Sequence, residues 1–134
     1  MDEQTYLAQL DQLQQAHWPA GVPRQVHYPL GEQPLCDYLR TWARQQPEAI
    51  ALDFYGYSLS WAELDHLSDR CAALLVELGV QPGDRVALFM PNCPQLHIAF
   101  YGLLKCGAVY APVSPLSKAL ELSYQLKDSG ARVI

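Results

Sequence analysis

From Arg85 onward, short apolar runs alternate with stretches whose apolar positions recur every three or four residues. Arg85–Met90 reads RVALFM, a run rich in strand formers between the turn Gln81-Pro82-Gly83-Asp84 and Pro91, and it predicts a buried strand. Asn92 stands where a helix N-cap belongs and Pro94 fits a first turn. Leu96, Phe100, Leu103 and Leu104 then follow at helical spacing up to Cys106, and Gly107 marks the stop. Ala108–Val113 predicts a second strand, and Lys118–Ser129 a second helix with Leu122 and Leu126 on one side. Gly130 terminates it, and Arg132–Ile134 begins a third strand. Two strand-helix-strand crossovers imply a parallel sheet flanked by helices on both faces, with the sheet expected to be incomplete at Ile134.

Upstream, Pro34 opens a helix to about Gln46 with Leu35, Leu39 and Trp42 on one face. Ala49–Tyr55 and Tyr57–Ser60 read as a β-hairpin around Gly56. Ser60 with Glu63 makes a Ser-x-x-Glu capping box. The helix behind it carries an apolar stripe of Leu64, Leu67, Cys71, Leu74, Leu75 and Leu78 up to Gly79. Residues Tyr6–Ala16 predict a short, polar amphipathic helix, and the Pro- and Gly-containing stretch His17–Gln33 a surface arm. The expected division is therefore an N-terminal helix and arm over residues 1–33 and an α/β unit over residues 34–134, without internal repeats or low-complexity tracts.

A chain of 134 residues fits one domain and buries roughly two-thirds of its unfolded surface if it folds alone. Its net charge of -5, with no basic cluster, argues against a nucleic-acid partner, whose phosphates demand concentrated Lys and Arg. Cys36, Cys71, Cys93 and Cys106 have no Cys-x-x-Cys spacing, and two of them lie on predicted apolar helix faces. This suits free thiols in a reducing compartment and makes the cytoplasm the expected location. Met1-Asp2-Glu3 is acidic where a signal peptide is basic, and no apolar run approaches the roughly 20 residues of a membrane span. A transmembrane segment is therefore not expected; peripheral membrane contact is left open.

Candidate chemistry is sparse. Cys93 and His97 share a helix face, but a structural zinc needs four donors and no second pair has suitable spacing, so core packing accounts better for both. Asp65, His66 and Asp69 form an acid-base cluster on the polar side of the long helix, where solvated charges normally sit. Lys105 falls at a helix C-terminus, where the dipole stabilises a cation without any catalytic role. Gly79 and Gly83 stand four apart with Pro82 between them, which is no phosphate cradle. Ser58, Ser60 and Ser114 lack the Gly-x-Ser-x-Gly elbow of a hydrolase. The residues by themselves describe an α/β domain with no catalytic, cofactor-binding or metal site.

Three ordered motifs add a family. Leu59-Ser60-Trp61-Ala62-Glu63-Leu64 resembles the early Leu-(Thr/Ser)-Tyr-x-Glu-Leu motif of adenylate-forming, AMP-binding enzymes, with Trp61 in place of Tyr. This superfamily includes acyl-CoA synthetases, peptide-synthetase adenylation domains and luciferases. The passage from Gly79 to Ala87 followed by Pro91-Asn92-Cys93-Pro94-Gln95 is similar to the family's second strand-turn-helix passage. Leu104-Lys105-Cys106-Gly107-Ala108-Val109-Tyr110-Ala111-Pro112-Val113-Ser114-Pro115 resembles its Leu-Lys-x-Gly-Ala-x-x-x-Pro-(Val/Ile)-(Asn/Asp)-Pro motif, with Ser114 in place of Asn or Asp. Together they cover roughly Pro34–Ile134. The Val-Ser-Pro ending and the helix Ala99-Phe100-Tyr101-Gly102-Leu103-Leu104-Lys105 look more like fatty or medium- or long-chain acyl-CoA ligases than peptide-synthetase domains.

The resemblance implies the first part of a large N-terminal α/β domain. It implies a parent enzyme that uses Mg-ATP to activate a fatty acid as an acyl-adenylate and transfers the acyl group to coenzyme A. The family's phosphate loop, adenine- and ribose-binding motifs and catalytic lysine are expected beyond Ile134. The fragment alone is therefore expected to be inactive and to hold no cofactor of its own. Self-association through the exposed edge of the last strand is expected, and the arm before Pro34 is a candidate subunit contact. The alternatives are a stand-alone α/β interaction module and a piece of an adenylation domain that does not use coenzyme A.

Overall fold

A computed structural model describes residues 2–134; Met1, the first residue of the expected helix-and-arm region 1–33, lies outside the described residues. The chain divides into two compact units, Met1–Glu32 and Gln33–Ile134.

In the first unit, helix α1 spans Glu3–His17. Asp2 caps it, its carboxylate accepting from the Thr5 amide at 2.8 Å and the Thr5 hydroxyl at 3.0 Å. Those bonds hold the Asp2 carboxyl below the usual carboxylate range. No residue of α1 is buried, and the stretch that follows turns through the Trp18 indole, which donates to the Val22 carbonyl at 2.8 Å.

The second unit opens with α2 (Leu35–Gln45), followed by β1 (Ile50–Phe54), β2 (Tyr57–Ser60) and α3 (Trp61–Glu77). It continues with β3 (Arg85–Phe89), α4 (Pro94–Lys105), β4 (Val109–Val113) and α5 (Ala119–Ser129). Strands β1 and β2 form an antiparallel hairpin. Its two turn residues, Tyr55 and Gly56, both take positive φ (50° and 84°), as a type I′ turn demands. The Ser60 capping box is present in both directions: Glu63 N–H donates to Ser60 Oγ at 3.2 Å, and Ser60 N–H to Glu63 Oε2 at 2.8 Å. An equivalent backbone–carboxylate bond, Lys118 N–H to Glu121 at 2.9 Å, starts α5.

Strands β3 and β4 run parallel in the register Arg85↔Val109 to Phe89↔Val113, with α4 as their crossover. The expected third strand is reduced to a single parallel bridge, Val86↔Val133. It is held by two backbone bonds, Arg132 N–H to Arg85 O at 2.9 Å and Ala87 N–H to Val133 O at 2.8 Å. Strand β3 thus has a neighbour along each edge, and its consecutive Val86, Ala87 and Leu88 are all buried, as a strand covered on both faces requires.

Helices α3 and α4 hand the chain to the sheet in the same way. Gly79 (φ 85°) and Gly107 (φ 76°) adopt the left-handed conformation just past each helix. The amides of Val80 and Ala108 then reach back to the carbonyls of Leu75 and Leu103, both at 3.0 Å. This is the Schellman arrangement, and its usual apolar contact is present because these four residues share one buried cluster with Val86 and Leu88. A fully buried leucine such as Leu103 or Leu64 contributes roughly 1.5–3 kcal/mol of transfer free energy.

Four details differ from the sequence expectation. The residue capping α4 is Cys93, with no side-chain hydrogen bond to the helix, rather than Asn92; Pro94 at the first helical position needs no capping of an amide it lacks. On α2 the buried pair is Cys36 and Leu39, while Leu35 is exposed. On α3, Leu64 and Leu75 are buried but Leu74, and Leu78 just past the helix end, are exposed, since a helix packed on one side cannot bury a stripe that wide. Helix α5 buries no residue at all.

Candidate functional site

The densest arrangement of charged groups joins α3 to the end of α4. The Lys105 side chain is 2% exposed, and its ammonium donates to the Asp65 backbone carbonyl at 2.8 Å, to the Asp65 carboxylate, and to the Asp69 carboxylate at 2.7 Å. Asp65 and Asp69 are four apart on α3, so both carboxylates lie on one face. The sequence expectation of a solvated trio fits His66 and Asp69, which are exposed, and is corrected at Asp65, which is partly buried under Lys105. Asp65 is 23% exposed and Asp69 57%, both are engaged by a cation brought from 40 and 36 residues away, and His66 is left outside, exposed. Lys105 does end α4, but its charge is spent on α3 rather than on its own helix terminus. An ammonium with all three protons committed to oxygen offers neither a lone pair nor a free donor, and the space a metal would need between the two carboxylates is filled.

Beside this clamp the two helices approach closely at Gly102. A Cβ added at Gly102 would stand 2.8 Å from Cys71 Cβ and 3.2 Å from the Ser68 carbonyl oxygen. Ser68, fully buried, donates its hydroxyl to the Asp65 carbonyl at 2.9 Å. Burial pushes the Cys71 thiol up, with a smaller push from the neighbouring Cys106. Burial also pushes up the Tyr101 hydroxyl. All four cysteines are free thiols.

Cys93 and His97 line a cavity of about 150 Å³ together with Leu52, Phe54, Asn92 and Pro94, between the β1–β2 hairpin and the start of α4. The two residues meet through backbone: His97 Nδ1 lies 3.1 Å from the Cys93 carbonyl oxygen. A carbonyl only accepts, so Nδ1 carries the proton there. Among the described residues no group of three or more His, Cys, Asp or Glu stands together in a way that could hold a metal ion.

The remaining candidates serve local structure. Ser58 Oγ donates to Asp53 at 2.7 Å, Ser60 caps α3, and Ser114 Oγ accepts from the Leu116 amide at 3.3 Å. The amides of Gly79 and Gly83 are spent on the carbonyls of Val76 (2.9 Å) and Gly107 (2.8 Å), so neither is free to cradle a phosphate. Asp84 closes the turn before β3. Its carboxylate accepts from the Gln81 amide at 2.8 Å and from Arg132 at 2.8 Å, and those two bonds, the amide first, hold it below the usual carboxylate range. Sequence reasoning missed Gly102 and the Asp84–Arg132 pair; the one available signal for Gly102 was a glycine inside a strongly helical pattern. Among the described residues no helix is long and apolar enough to cross a membrane.

Residues 39–134 match the family model described as AMP-binding enzyme. Over 119 residues the chain is 37% identical to the long-chain-fatty-acid–CoA ligase of Bacillus subtilis, which covers 89% of this chain and 21% of that protein. Over 76 residues it is 43% identical to the long-chain-fatty-acid–CoA ligase FadD13 of Mycobacterium tuberculosis, covering 57% of this chain and 15% of that one. The chain thus spans about a seventh to a fifth of the length of the curated relatives it matches. Among solved structures, the N-terminal domain of FACL13 from Mycobacterium tuberculosis matches with a TM-score of 0.72 at 36% identity, over 76% of this chain and 27% of that one. The Klebsiella oxytoca NpsA N-terminal subdomain, in complex with anthranilyl-AMSN, matches with a TM-score of 0.74 at 27% identity, over 81% of this chain and 29% of that one.

Proposed function

Because this chain belongs to the AMP-binding enzyme family, we propose that it forms the first part of the N-terminal domain of an ATP-dependent acyl-CoA ligase acting on fatty acids. The observation that carries this is the identity to a long-chain-fatty-acid–CoA ligase along 89% of the chain. Such an enzyme joins a carboxylic acid to AMP at the expense of Mg-ATP, releases pyrophosphate, and passes the acyl group to the thiol of coenzyme A. No catalytic step is assigned to the described residues. What this chain's residues do is hold shape. The Lys105 clamp and the Gly102–Cys71 contact fix α4 against α3, and α4 in turn connects the two parallel strands. Residues 34–134 act as scaffold, residues 1–33 as an arm, and the free thiols suit a reducing cytoplasm.

Two activities test this proposal. A protein extended to the length of its relatives should catalyse fatty-acid-dependent exchange of pyrophosphate with ATP, and should release AMP and form a thioester when coenzyme A is added. The 134-residue chain should do neither. Exchange without thioester formation would support the second reading, an adenylating enzyme that does not use coenzyme A, which the likeness to NpsA favours, since NpsA also matches in an artificially fused adenylation–PCP di-domain described as NRPS. Exchange by the 134-residue chain alone would overturn the scaffold role.

The exposed edge around Arg132–Ile134 is the expected route of self-association. Light scattering should show concentration-dependent association of the 134-residue chain that vanishes in the longer protein; persistence there would contradict it.

A further inference from the structure

We draw no further inference here: the strongest candidate, the apolar face left open on α5 and the neighbouring loop around Leu116, Leu120 and Tyr124, is an unpartnered face, and nothing in the structure shows what covers it.

Discussion

Gly102 on α4 lies directly against Cys71 on α3, so close that any Cβ at position 102 would stand 2.8 Å from the Cys71 Cβ and 2.9 Å from its sulfur. Both of those atoms are fixed near the backbone, and the third neighbour, the Ser68 carbonyl at 3.2 Å, is backbone itself. Inside an unconstrained helix, Gly→Ala gains up to about 1 kcal/mol. Here overpacking costs about 1–3 kcal/mol, and the rigid neighbours place the cost toward the upper end. Gly102→Ala should therefore lower the stability measured by urea unfolding by about 1–2 kcal/mol. A neutral or stabilised variant would show that the helices separate without cost.

Lys105 and its two carboxylates should respond unequally to substitution. Lys105→Met removes the cation and leaves Asp69, already more than half exposed, free to hydrate, so the loss should be about 1–3 kcal/mol after allowing for solvent screening. The double change Asp65→Asn with Asp69→Asn keeps the ammonium buried without an opposite charge and should cost about 3–5 kcal/mol. Denaturant midpoints that reverse this order would remove the clamp as a stabilising unit.

Asp84 sets a pH dependence whose sign follows from its lowered pKa. The folded state binds the proton less readily than the unfolded chain, whose carboxylate titrates near ~3.9. The stabilisation is thus complete above that value and is lost as pH falls through the lower folded pKa. The stability difference between the native chain and Asp84→Asn should stay constant from neutral pH down to about 5 and then shrink toward pH 2. A difference that grows on acidification would contradict the assignment.

Ser60 starts the longest helix of the second unit, and its hydroxyl satisfies the Glu63 amide. Ser60→Ala should cost about 1 kcal/mol and Ser60→Gly only a few tenths, readable in thermal melts followed by circular dichroism. Equal losses from both would mean that the hydroxyl contributes nothing.

Local signals made much of the fold legible in the sequence. The capping box located the start of α3, the residues around Gly56 announced the hairpin, and Gly79, Gly107 and Gly130 marked helix ends. The family was legible too, through three motifs that coincide with the α3 start, the β3–α4 passage and the α4–β4 junction. Hidden features were those that require two distant segments to meet. Lys105 and Asp65 are 40 residues apart, and nothing in the spacing of either reveals the other. Leu74 and Leu78 satisfy the helical period as well as Leu75 does, yet only packing decides which of them is covered. Asn92 has the better capping side chain, but Pro94 moves the helix start one residue later, to follow Cys93. No substrate-binding residue was assigned from sequence, and the Cys93–His97 pair turned out to meet through a backbone carbonyl.

Strand β3 lies between β4 and the short segment that follows Gly130, and the Ala87 amide is spent on the Val133 carbonyl. That proton can trade with solvent only while Val133 has let go. The exchange time of one buried amide in the middle of the sheet therefore works as a clock for events almost fifty residues further along the chain. Whatever tugs on or steadies those last residues is recorded there, in seconds or hours, without any change in the average shape of the strand.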